Sequence, residues 1–250
     1  MHFNKSRPMG TIHMAKIKFT DSAYSPIFIF CQFSYLSVSN HDFSCDFHPK
    51  PLIKKRLIYF GNILPSHGIF QVLDAFDDSP WPDLELTIKG VLYKDSVRRD
   101  MLRRYKNLFQ QEKILLDETY TPQEKIVEYL TRFSLGFCIY DLNLLGCRDF
   151  NYISSPSGKL FNFYAAGVPV IGTDVLGLRS IRQFNAGILL SEISRESIRM
   201  GIARIIENYN EFSRNCILAA KHFDFDKASN RYVEFLRSSV TDETKLSGDT

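Results

Sequence analysis

The sequence has no apolar run long enough to cross a membrane. Its longest near-apolar stretch, PIFIFCQFSYLSV at residues 26–38, is broken by Gln32 and falls short of the ~20 residues a spanning helix needs. The stretch also sits too far from the start, with no small-residue cleavage pattern after it, to read as a signal peptide. Cysteine is sparse. Cys31, Cys45, Cys138, Cys147 and Cys216 make an odd count with no C-x-x-C pair, which argues against a disulfide framework or a zinc cluster and suits a reducing compartment. The six histidines show no H-E-x-x-H spacing, so no metal site is read. No G-x-G-x-x-G follows a strand, which speaks against an NAD-type dehydrogenase. A formal net charge of +3 is too small to argue for nucleic acid, though it does not oppose a weak contact with an anionic membrane. Tryptophan occurs once, against 21 phenylalanines and 12 tyrosines. These absences leave a cytoplasmic protein, or one peripheral at the inner face of the membrane.

What is present is regular from Arg56 onward. Strand-like runs recur at Leu57–Phe60, Leu84–Lys89, Lys113–Asp117, Leu135–Tyr140, Val168–Gly172 and Gly187–Leu190. Between them lie stretches at helical spacing, such as Ile69, Val72, Leu73 and Phe76, or Ile126, Tyr129, Leu130 and Phe133. Thr121-Pro122-Gln123-Glu124 has the order of a capping box. Ser194, followed by an Ile198/Ile202/Ile205/Ile206/Tyr209 stripe, opens another helix. Segments at about 211–223 and 226–236 close the fold. Alternating strands and helices predict an α/β domain over residues 55–238, a Rossmann-like parallel sheet with helices on both faces. Residues 1–54 lack this regularity, and 239–250 read as a disordered tail.

Ligands of such sheets bind outside the carboxyl ends of the strands, and two segments there carry candidate chemistry. After the first strand, Gly61-Asn62-Ile63-Leu64-Pro65-Ser66-His67-Gly68 leads into a helix. It reads either as an ordinary turn or as a glycine loop whose helix start receives phosphate, with Asn62 and His67 as hydrogen-bond donors. The second segment is SSPSGKLFNFYAAGVPVIGTD, residues 154–174. Ser157-Gly158 opens a helix that stops at Gly167 and runs directly into a strand. Free N–H groups at that helix start, with Lys159, favour an anionic ligand. Asn162, one turn in, can reach sugar hydroxyls. The plainer alternative is a serine-rich cap with Leu160, Phe161 and Tyr164 facing the core.

Taken in order, LIYFGNILPSHGIFQVLDAF, LELTIKG, ILLDETYTPQEKIVEYLTRFSLGFCIYD, NYISSPSGKLFNFYAAGVPVIGTDVLGLRSI and HFDFDKASNRYVEFL resemble the C-terminal, donor-binding half of GT-B-fold group-one glycosyltransferases. The fourth segment is similar to that family's diagnostic K-L-F-E-Y-x-A-A-G-x-P-V-I. The resemblance implies sugar transfer from a nucleotide-diphosphate sugar of UDP or GDP type in polysaccharide biosynthesis, retention at the anomeric carbon, and no cofactor or metal. It implies that Gly61, Asn62, His67, Gly68, Ser157, Gly158 and Lys159 hold the donor diphosphate. Thr119, Tyr120 and Asn162 would meet base and ribose, with Ser154, Ser155 and Pro156 on the sugar side; no catalytic base is assigned.

The sequence departs from the family at several of these positions. Asn62 and His67 stand where the family often has basic residues, and Ser154 and Asn162 where it has paired glutamates. Residues 1–54 are too few for the family's other Rossmann-like half, which holds the acceptor. LSVSNHDFS at 36–44 looks like the interdomain stretch, making 27–38 the last strand or linker remnant of that half, or 26–38 an interface to a partner. The expected partners are therefore the nucleotide sugar, a glycan or lipid-linked acceptor, and a protein supplying the N-terminal half. The alternative function is a non-catalytic nucleotide-binding subunit or a truncated remnant.

Overall fold

The computed structural model describes residues 56–77, 80–145, 150–224, 229–230 and 233–234. The expectations for the first 54 residues, for the tail and for most of the segment at 226–236 lie outside them. Six strands form one all-parallel sheet: β1 (Arg56–Asn62), β2 (Glu85–Val91), β3 (Ile114–Asp117), β4 (Leu135–Cys138), β5 (Val170–Thr173) and β6 (Gly187–Leu190). Their spatial order is β3-β2-β1-β4-β5-β6, so the side on which successive strands are added reverses between β1 and β4. That is where a ligand crevice opens in such folds.

The central strands are sandwiched, as parallel strands must be when helices cover both faces. On one face Leu57, Leu86, Ile88 and Phe137 pack with α1 (Ile69–Phe76), α2 (Asp95–Arg104), α3 (Lys106–Gln110) and α8 (Arg195–Glu207). On the other, Ile58, Cys138 and Val170 pack with α4 (Ile126–Leu130), α6 (Gly158–Ala165) and α9 (Tyr209–His222). Two short helices, α5 (Phe150–Ser154) and α7 (Ser180–Gln183), lie beside α6 and β6 in the chain. Ile69, Val72, Leu73 and Phe76 are all buried. Ser194 caps α8 through a reciprocal pair with Ser197.

Two local readings are corrected. Thr121 makes no cap: Pro122 stays extended and is itself the N-cap of a single 3₁₀ turn, Gln123–Lys125, with no side-chain cap bond. The first strand does not stop at Phe60, because Gly61 and Asn62 remain in register with Gly90 and Val91 of β2.

Close packing sets the position of α6. A Cβ on Gly136 of β4 would lie 2.5 Å from the Phe163 ring, so only glycine lets the helix seat this near the sheet. On the first crossover, Gly68 turns the chain with φ +69° into α1, and a side chain there would meet Ile139.

Candidate functional site

The first side of the site is the turn after β1. Tyr59, fully buried, donates its hydroxyl proton to the carbonyls of Asn62 and His67, each at 3.1 Å. The Asp141 N–H, at the end of β4, donates to the Ser66 carbonyl at 2.9 Å. The turn is thus tied to both central strands. Gly61 carries φ +114°. Asn62 is exposed, and its Oδ1 accepts a long bond from the Tyr93 hydroxyl at 3.4 Å. His67 is placed otherwise than a free phosphate donor would be: it is buried, 5.5 Å from Tyr140 in an edge contact, with Nδ1 3.3 Å from the Asn62 carbonyl.

The second side is the start of α6. No side chain caps this helix. Burial pushes the pKa of the nearby Cys138 thiol up to about 11, with Lys159 and Ser157 pulling the other way. The first backbone N–H groups of α6 have no partner within the helix, as at any helix start. Ser155 packs under Gly177, where a Cβ would lie 2.1 Å from the Ser155 carbonyl oxygen. Ser154 bonds back to the Phe150 carbonyl at 2.9 Å. Pro156 and Asn162 are half-buried, and Asn162 makes no side-chain hydrogen bond among the described residues.

Lys159 joins the two sides. Its Cδ lies 3.8 Å from where a Cβ on Gly61 would be. Its ammonium sits 5.4 Å from the centre of the Tyr59 ring and 5.8 Å from that of Tyr140, within cation–π range. Burial lowers its pKa, and the nearby Cys138 thiol opposes that shift. A cation held over a bare glycine, beside a helix start, is an arrangement that attracts an anion.

A third group stands at the ends of β2 and β3. Lys89, 2% exposed, donates to Asp117 Oδ2 at 2.9 Å, the Thr119 carbonyl at 2.8 Å and Thr119 Oγ1 at 3.1 Å. Thr119 also donates its N–H and hydroxyl to Asp117 Oδ1. Burial alone would raise the Asp117 pKa. Bonds from Thr119, Lys89 and Tyr129 outweigh it and hold the carboxyl well below the usual range. Tyr120, next in the chain, is 87% exposed. Tyr59, Tyr140 and Lys89 are the residues that reading the sequence missed. Only Lys89 carried a signal, as a charge following the apolar alternation of Leu84, Leu86 and Ile88.

No protein-family model and no curated protein matches this sequence. Solved structures do match. The C-terminal domain of a glycosyl transferase group 1 family protein, LpcC, from Francisella tularensis superposes with a TM-score of 0.53 at 13% identity, over 67% of this chain and 84% of that domain. The fold is that of the C-terminal half of GT-B glycosyltransferases. HepE of Anabaena, solved in complex with UDP, gives a TM-score of 0.61 at 14% identity over 86% of this chain and 54% of its own. Sucrose-phosphate synthase from Thermosynechococcus elongatus gives 0.60 at 16%, over 77% and 47%. The chain therefore spans about half the length of these enzymes. Among the described residues no helix is long and apolar enough to cross a membrane.

Proposed function

We propose that this chain is the donor-binding half of a glycosyltransferase, taking a sugar from a nucleotide-diphosphate sugar in polysaccharide biosynthesis. The observation that carries the reading is Lys159. Packing alone brings its side chain from the α6 start onto Gly61, at the crevice between β1 and β4 where such sheets bind ligands. In this reading the diphosphate lies across Gly61 and the first N–H groups of α6. There Lys159, Ser157, Gly158 and the Asn62 amide neutralise the charge that builds on the leaving group as the glycosidic bond breaks. Asn162 takes the ribose and Tyr120 the rim of the base, with Ser154–Pro156 toward the sugar. HepE has been solved with UDP and with UDP-glucose, which supports the same ligand class here. Retention at the anomeric carbon, independence of metal, and an acceptor that is a glycan or lipid-linked sugar held by a second half complete the proposal.

Calorimetric titration of the 250-residue chain with UDP, GDP, ADP and their sugar conjugates tests it. Saturable binding of one nucleotide family is the expected result; a folded chain that binds none of them sinks the reading. A second reading, a non-catalytic nucleotide-binding subunit, draws on the burial of His67 and the neutrality of Asn62, which leave the glycine loop without an exposed cation. Binding without sugar release, even with a partner half added, would favour it.

A further inference from the structure

We propose that Lys89 sets the choice of nucleobase, by turning the Thr119–Tyr120 peptide so that its N–H faces the base. The inference rests on the donor-site reading above and adds to it the chemical class of the base.

On β2, Leu86 and Ile88 enter one core, so Thr87 and Lys89 emerge on the opposite side of the sheet. All three ammonium protons of Lys89 have acceptors: Asp117 Oδ2, the Thr119 carbonyl and Thr119 Oγ1. The Tyr129 ring covers it, 4.9 Å from Nζ to the ring centre. The same bonds leave Thr119 with nothing to offer a ligand. Its N–H and hydroxyl go to Asp117, and its carbonyl and Oγ1 receive Lys89. The contact expected of Thr119 at the rim of the base therefore passes to the next peptide group.

That group's direction is settled by covalent geometry. No peptide bond among the described residues is cis, and in a planar trans peptide the carbonyl and the following N–H point opposite ways. With the Thr119 carbonyl drawn inward to Lys89, the Tyr120 N–H is turned outward. It has no hydrogen-bond partner among the described residues, and the Tyr120 ring beside it is 87% exposed. One fixed donor next to an open aromatic face suits a base edge that presents a carbonyl oxygen. Uracil and thymine offer O4 and guanine O6, whereas adenine places an amino donor at that edge. A donor facing a donor is rejected, so the site takes keto-base nucleoside diphosphates and excludes ADP.

A buried ion pair does not need to be there for stability, since apolar replacements of similar volume are often neutral or better. Lys89 is thus a positioning residue, and its removal is read as a change of selectivity. Calorimetry on the full chain and its variants, with UDP, GDP, ADP and inorganic pyrophosphate, reads this directly. The unaltered chain is expected to bind UDP or GDP at least about tenfold more tightly than ADP. In Lys89→Met that ratio shrinks to about twofold, while pyrophosphate affinity stays the same. Because Lys89→Met leaves Asp117 without its cation and can misfold, the exposed position 120 supplies an independent pair. Tyr120→Pro removes the N–H and loses the discrimination; Tyr120→Ala removes only the ring and keeps it. Selectivity unchanged in either Lys89→Met or Tyr120→Pro, or a preference for ADP in the unaltered chain, overturns the role of Lys89 and leaves the donor site standing. Failure of the unaltered chain to bind any nucleoside diphosphate overturns both.

Discussion

Lys159 and Asp117 both titrate below their ordinary values in the folded chain, so stability rises with pH across each titration. Burial depresses the Lys159 pKa, so the folded chain gives up this proton at lower pH than the unfolded chain does. Stability attributable to this residue therefore rises as pH climbs through the folded value toward the ordinary lysine range. A bound diphosphate restores the charge and raises the pKa again. Affinity owed to Lys159 accordingly falls as pH passes the free-state value, which lies below that of an ordinary lysine. Lys159→Met should weaken pyrophosphate binding about tenfold or more, the worth of a charge-assisted hydrogen bond, and should remove the alkaline fall. Titrations at a series of pH values check both points. Asp117 shifts in the same sense, at the acid end of the scale. Its folded pKa is depressed, so its contribution is complete above the unfolded value of ~3.9 and is lost as pH falls from there toward the folded value. Asp117→Asn leaves Lys89 buried without a counter-charge and should cost about 3–5 kcal/mol, measured by urea unfolding at pH 7.

The placement of α6 depends on glycine. Gly136→Ala puts a methyl group 2.5 Å from the Phe163 ring, so the helix must lift or the ring must leave its rotamer, at a cost of about 1–3 kcal/mol. Because Lys159 rides on that helix, urea unfolding and pyrophosphate titration should both register the change; loss of stability with full affinity would show that the helix start is not part of the site. This element was legible in advance: the turn at Ser157-Gly158, the stop at Gly167 and the β-branched run after it carry local signals. The six strands were legible for the same reason, and Gly187–Leu190 is observed with the bounds that its apolar run predicts. Helix α2 was not. Its sequence, DSVRRDMLRR, buries only Val97 and Met101, too few apolar positions to mark a period. The short helix Phe150–Ser154 has no more signal. The Tyr59–Tyr140 seat could not be read either, because it exists only where β1 and β4, far apart in sequence, come to lie side by side.

The described fold couples these parts through one sheet, so ligand binding should be visible as global stability. β1 carries Tyr59, Tyr140 follows directly on β4, β2 and β3 carry Lys89 and Asp117, and all four strands are joined by a continuous ladder. The glycine loop, the α6 start and the base-side loop thus report on the same cooperative unit. A nucleoside diphosphate present at about one hundred times its dissociation constant adds roughly 2.7 kcal/mol to the native state. For a domain of this size that corresponds to a rise in Tm of about 5–10 °C. UDP or GDP should produce it in a thermal melt of the full chain, and ADP at the same concentration should produce less because its affinity is lower. Lys159→Met should lower the rise for every nucleotide by a similar amount, since it acts on the shared diphosphate. Lys89→Met should instead bring the ADP and UDP or GDP shifts together. If both variants lower all shifts alike, the diphosphate and the base are not read by separate groups, and the division of labour between α6 and the β2–β3 edge is wrong.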